Sequence, residues 1–343
     1  MRVAFHPHSY TGPRGRPLVR LLRPECAGLL LIALLSAGCG EVESQGERPV
    51  GTTADTLVEA VSDADLEPGS WHERSFVFIS ADPDSVVALP WSFHTRQIGE
   101  REVRQRDAWL GVDGAWDLLA SEPDTGRVRG DAARILPGRS LRIRVGAGDA
   151  VAALTFRTGE EEIEALPGLL LAEWTGSPRE VVRFHRSRIG RGSNELEGFL
   201  MDLSVRGEPG DDWTGDWLFV HGGDFLQAAF RELPRTPAAD SGPRPYQGWT
   251  RIAVRNRQWP GVELEWAEVR SFEQARRDIP VRWALRSQDG ELTGDLHSVG
   301  QHLSTGEGEG PLLPVNALFQ IEGEIRHLGD TVGVVGILRH RQP

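Results

Sequence analysis

Lysine is absent. All 38 basic residues are arginine, which excludes a Schiff-base lysine and a Walker-type phosphate loop. Cysteine is nearly absent: Cys26 and Cys39 are the two. Tyrosine is limited to Tyr10 and Tyr246, against 11 tryptophans. No apolar run reaches the roughly 20 residues that a membrane-spanning helix needs. There is no Gly-x-Ser-x-Gly elbow, no His-Glu-x-x-His pair and no Rossmann glycine pattern after a strand. The commonest hydrolase, metalloprotease, nucleotide and redox classes lose their signatures with them. Positive charge is also lacking, since the formal net charge is −12. Such a chain does not follow a phosphate backbone, so nucleic acid is not an expected partner.

The N-terminus is the exception to this acidity. Arg2, Arg14, Arg16, Arg20 and Arg23 stand against Glu25 alone before an eleven-residue apolar run, Ala27 to Ala37. A basic region, a short apolar region and small residues before a cut describe a signal peptide. Ser36, Ala37 and Gly38 precede Cys39, and this resembles a bacterial lipobox, with Ser36 where leucine is more usual. The resemblance implies cleavage after residue 38 and lipidation of Cys39. The lipid then carries the membrane attachment, because an acidic chain is not drawn to anionic headgroups. Gly40 in place of aspartate points to the outer membrane, facing the periplasm. Cys26 leaves with the signal, so no internal disulfide can form.

Glycine (40) and proline (22) are plentiful, as short strands joined by turns require. Residues 39–69 read as an acidic tether, with Leu57 and Val61 able to share one face of a short helix capped by Thr53. From Ser70 the hydrophobic period is mostly two. Alternating segments fall at 75–80, 140–146, 151–157, 181–186, 262–266, 281–285, 319–325 and 332–338. Turn signals between strands include Asp113-Gly114, Pro137-Gly138 and Asp289-Gly290. Arg270 to Asp278 is the best short helix. Arg206 to Asp212 is the expected boundary between domains at 70–207 and 208–343. The fold class read this way is all-β, with two antiparallel barrels or sandwiches.

Chemistry-bearing residues gather at 211–224. Asp212, Asp216 and His221 are the candidate catalytic groups; Trp217, Phe219 and His221 alternate onto one face of a strand. Turned inward, that face would set His221 among aromatic residues, where a neighbouring carboxyl has a raised pKa and can act as a general acid. Trp217, Phe219 and Trp283 are the candidate ligand contacts. The other tryptophans are expected mainly in the core, each burying roughly 150–250 Å². His297 and His302 bracket an expected loop and could meet His327, but no metal-ligand spacing occurs within a helix. No metal and no cofactor is expected.

From Gly215 onward the order of motifs resembles the lipocalin-like family of carotenoid hydratases, the AttH-type proteins. The matching segments are Gly215 to Glu232, Ile279 to Leu285 (IPVRWAL), Phe319 to Gly323 (FQIEG) and Gly329 to Leu338. They cover about a third of the chain. The family's Asp-His-x-Trp-Gly segment is missing; Asp211-Asp212-Trp213 stands nearby, which puts catalysis in doubt more than fold. The resemblance implies two lipocalin-like domains that enclose an apolar ligand. In the hydratases an acidic residue protonates an isoprenoid double bond and water adds. Three functions follow. The first is an envelope lipoprotein that binds an apolar lipid or isoprenoid. The second is a hydratase- or isomerase-type enzyme (a lyase, for hydration). The third is a non-catalytic interaction module.

Overall fold

The computed structural model describes residues 69–342, apart from 83–84, 128–137, 146–149, 160, 177–179, 193, 208–214, 234–243, 307 and 309. Cys39, the tether with its short helix, Pro137 and Asp211-Asp212-Trp213 lie outside the described residues. Among the described residues every regular element is a strand.

Nine strands form the first sheet: β1 (Trp71–Ser80), β2 (Val87–Ile98), β3 (Arg101–Val112), β4 (Ala115–Arg127), β5 (Leu141–Val145), β6 (Val151–Thr158), β7 (Glu161–Thr175), β8 (Glu180–Arg191) and β9 (Asn194–Gly207). Their order is β4-β3-β2-β1-β9-β8-β7-β6-β5. It is an up-and-down meander in which the first and last strands pair, which leaves the opening between β4 and β5. The short β5 and Pro123 in β4 suit an edge. The edges still meet through a side chain: Glu122 accepts the Arg139 and Ser140 amides at 2.9 and 2.8 Å. Ala108, Leu110 and Ala120 share a core with Leu141, Leu154 and Phe156, so the sheet curls onto itself.

The remaining strands close completely. They are β10 (Trp217–Gly222), β11 (Leu226–Glu232), β12 (Pro245–Ile252), β13 (Arg255–Phe272), β14 (Arg277–Ser287), β15 (Leu292–Thr305), β16 (Val315–His327) and β17 (Asp330–Gln342). β10 pairs with both β11 and β17, completing an eight-stranded antiparallel barrel. Along β14, Trp283, Leu285 and Ser287 are buried while Arg282, Ala284 and Arg286 are exposed. Apolar inside and charged outside is the reverse of a barrel that faces lipid. The alternating segments read from the sequence fall on β1, β5, β6, β8, β13, β14, β16 and β17.

The helix expected at Arg270 to Asp278 is instead the β13–β14 hairpin. Phe272 pairs with Arg277, and the Ala275 and Arg276 amides reach the carbonyls of Phe272 and Glu273 at 3.0 and 3.2 Å. Local helix preference loses because both flanking segments are claimed by barrel ladders, leaving four residues for a single turn. Its Ala275 is buried in the barrel core. His297 and His302 both lie on β15, where a loop had been expected.

Candidate functional site

The outer wall of the barrel packs on the outer face of the first sheet. Val77, Ile79, Val182, Phe184, Phe199 and Met201 meet Trp217, Phe219, Ala229, Trp249 and Ile337. Phe184 and Phe219 lie 5.5 Å apart between ring centroids, and Phe199 and His221 4.7 Å. Ion pairs frame this contact: Glu73 with Arg339, Glu180 with Arg231 at 2.5 Å, and Asp224 with Arg186 at 2.6 Å.

To one side of this packing the two bodies part and leave a cleft of 310 Å³. Register places its barrel wall in two rows. His302, Leu318, Arg339 and Trp217 stand abreast on β15, β16, β17 and β10; Ser304, Asn316 and Arg341 form the next row. β2 and β3 supply the opposite wall through Pro90, Ser92, Gln105, Asp107 and Trp109. Trp109 and His302 touch across the cleft, with ring centroids 4.4 Å apart and planes at 47°. The sheet is held there by the tip of the β3–β4 hairpin. Asp113 and Gly114 take φ of 47° and 83°, the positive pair of a type I′ turn, and the Gly114 amide donates to Gln320 Oε1 at 2.6 Å. A Cβ on Gly300 would sit 2.2 Å from Gly114 Cα, so only glycine lets the tip approach β15.

The polar groups of the cleft are set individually. Arg339 pairs with Glu73, reaches the Gly215 carbonyl at 3.4 Å and lies 5.3 Å over the Trp217 ring. Burial lowers the Arg339 pKa to about 10, with Glu73 opposing. Burial pushes the Glu73 carboxyl up, but Arg339 and Arg341 outweigh it and hold it near 2. Burial lowers His302 below its ordinary range, favouring a neutral imidazole. The Trp217 indole nitrogen is buried and has no hydrogen-bond partner among the described residues. Asp107 accepts from Gln105 at 2.7 Å.

Of the candidate ligand residues, Trp217 lines this cleft. Phe219 lies in the packed contact between the bodies, and Trp283 inside the barrel, 5.3 Å from Phe319. Trp217, Phe219 and His221 do share a face, but it is the barrel's outer face. His221 donates from Nε2 to the Ser80 carbonyl at 3.0 Å and accepts the Gly223 amide at Nδ1, 3.2 Å. Burial lowers its pKa to about 4, against the Ser80 bond.

Asp216 sits at the other end of β10, buried at the barrel rim. It accepts from His340 Nδ1 at 2.6 Å, the Arg341 amide at 2.8 Å, Tyr246 Oη at 3.2 Å and Arg244 at 3.4 Å. Burial alone would raise its pKa, as expected from the sequence. His340 and Arg244 outweigh burial and the pKa falls, the opposite direction to that expected, which favours the ionised carboxylate. Among the described residues Asp216 and His221 share no hydrogen-bond partner, and Asp212 lies outside them. Trp109, Asp107 and Arg341 were not singled out from the sequence. Alternation along β3, with Asp107 and Trp109 on one face, was the available signal for the first two.

No protein-family model matches the chain, and no curated protein matches it by sequence. Solved structures match it by fold. Kievitone hydratase from Nectria haematococca aligns over 85% of this chain and 95% of its own, with TM-score 0.52 and 12% identity. A candidate AttH protein from Nitrosomonas europaea aligns over 79% of this chain and 92% of its own, with TM-score 0.50 and 10% identity. The chain therefore has the lipocalin-like two-barrel fold of these hydratase-type proteins. The resemblance read from Gly215 onward holds at the level of fold.

Proposed function

We propose that this protein is a lipid-anchored envelope protein of the bacterial outer membrane that binds an apolar small molecule, a lipid or isoprenoid, in the cleft between its two barrels. The observation that carries this is the cleft itself: 310 Å³, walled by Trp109, Trp217, His302 and Leu318, with a few polar groups at its margin. Small-molecule sites have this mixture of apolar wall and sparse polar contacts, at roughly this volume or above. The closed barrel is a poorer host, because Trp259, Trp283, Tyr246 and Phe319 fill it.

Native mass spectrometry with organic extraction, on the chain expressed from Gly40, tests the binding. A co-purifying lipid or isoprenoid, lost in Trp109→Ala, is expected. An empty protein that takes up no hydrophobic probe leaves the interaction module as the reading. Membrane attachment is tested by labelled palmitate, whose incorporation is expected to vanish in Cys39→Ser. Hydratase-type chemistry has one supporting observation: Asp107 and the imidazole of His302 line the same cleft. It predicts that Asp107→Asn stops conversion of the co-purified molecule without stopping its binding.

A further inference from the structure

Resting on the cleft reading, we propose that the ligand is an apolar acid whose carboxylate is received by Arg341. On β17 the side chains alternate. Leu338 belongs to the barrel core and His340 is wholly buried beside Phe319, while Arg339 and Arg341 line the cleft. Their surroundings differ. Arg339 is taken up by Glu73 and the Gly215 carbonyl. Arg341 acts on Glu73 through space but forms no ion pair among the described residues. Its backbone is fixed by the 2.8 Å bond from its amide to buried Asp216, so the base of the side chain is held while the guanidinium remains available.

Neighbours complete an oxyanion seat. Asn316 stands directly opposite Arg341 on β16, and Ser304 opposite Asn316 on β15. All three line the cleft. The Ser304 hydroxyl donates to the Asn316 backbone carbonyl at 3.3 Å, which leaves the Asn316 side-chain amide as the neutral donor beside a guanidinium that can bind a planar carboxylate through two parallel hydrogen bonds. The carboxylate of the far wall, Asp107, is engaged by Gln105 at 2.7 Å and pairs with no arginine among the described residues. The adjacent row, with Leu318 beside Trp217 and His302, gives the apolar body of the ligand its surface. The ligand class is thus an apolar monocarboxylic acid, and an uncharged hydrocarbon would leave Arg341 unanswered.

The test is calorimetric titration of the full chain with 2-naphthylacetate and its neutral amide, which have one body and differ in charge. A charge-assisted hydrogen bond contributes about 1.5–3 kcal/mol, so the acid is expected to bind about tenfold or more tightly than the amide. In Arg341→Gln that ratio is expected to fall to about one with the amide's affinity unchanged, which also shows that the variant is folded. Arg341→Lys should restore part of the preference. Equal binding of acid and amide to the parent protein, or a preference that survives Arg341→Gln, overturns the assignment of Arg341 and leaves the cleft reading standing. Failure of both probes to bind the parent removes the cleft reading and this inference together.

Discussion

The two barrels carry opposite interiors. The second is apolar through most of its depth, with a buried cluster that runs from Leu218 to Leu338 through Trp259, Trp283 and Phe319, and its charge (Asp216, Glu232, Arg244 and His340) gathers at one rim. The first is divided. Phe76, Phe78, Trp91 and Phe156 fill part of it, and charge fills the rest. Arg74 grips Asp202 with bonds of 2.8 and 2.7 Å, Arg183 reaches Glu173 at 2.9 Å, Arg104 pairs with Glu102, and His72 bonds Ser204 at 2.9 Å. The difference follows from closure. A complete ladder excludes water, and an ion inside it would lose its solvation. The opening between β4 and β5 leaves Asp124 of β4 half exposed while it meets Arg104 and Arg106. Charge therefore runs inward from the opening of the first barrel, whereas in the second it stays at the rim with Asp216, Arg244 and His340.

The comparison is broken most severely by emptying either interior. Trp283→Ala, in the closed barrel, should cost about 3–5 kcal/mol by urea denaturation. Asp202→Ala should cost a similar 3–5 kcal/mol for a different reason: it leaves Arg74 without its bidentate partner in a buried site. Replacing both partners, Arg74→Met with Asp202→Leu, separates the two cases. If ion pairing is the cause, the double variant recovers most of the loss. A double variant as unstable as Asp202→Ala would mean that packing, not charge, decides this layer.

Acid titration sharpens the contrast with a smaller effect. Burial first, then Arg206 and Arg74, lowers His72 from 6.5 to about 3. Burial lowers His221, at the contact between the bodies, to about 4. Between pH 6.5 and these values the unfolded chain binds more protons than the folded one. Stability is therefore full above 6.5 and falls with pH, by at most about 1.4 kcal/mol per unit for each histidine. His72→Gln should flatten that slope above pH 4.5, before Glu73 and other carboxylates begin to titrate in the unfolded chain. An unchanged slope would show that the first barrel's interior is not where the acid acts.

The fold was largely legible and the cleft was not. Period-two alternation marks β14 without ambiguity, because one face is buried and the other carries Arg282 and Arg286. Asp113-Gly114 was legible as a turn, since few other residue pairs accept two positive φ values in succession. Asp216 was identified from its neighbours in the chain, yet the direction of its pKa shift is set by His340 and Arg244, which only barrel closure brings to it. The face carrying Trp217, Phe219 and His221 was correctly grouped. Which side of the barrel it occupied could not be read, because alternation defines two faces without saying which one another body will cover.

Composition and pattern by themselves determined an all-β chain of two strand-rich halves, acidic, behind an N-terminal segment that resembles a lipoprotein signal. Those properties depend on residue type and on spacings of one to four residues, which are local. Tertiary structure alone decided that one barrel closes and the other stays open, that Trp109 meets His302 across 193 positions of chain, and that Arg341 lines the cleft between them. Each of these depends on which distant strands become neighbours, and a period of two carries no information about that.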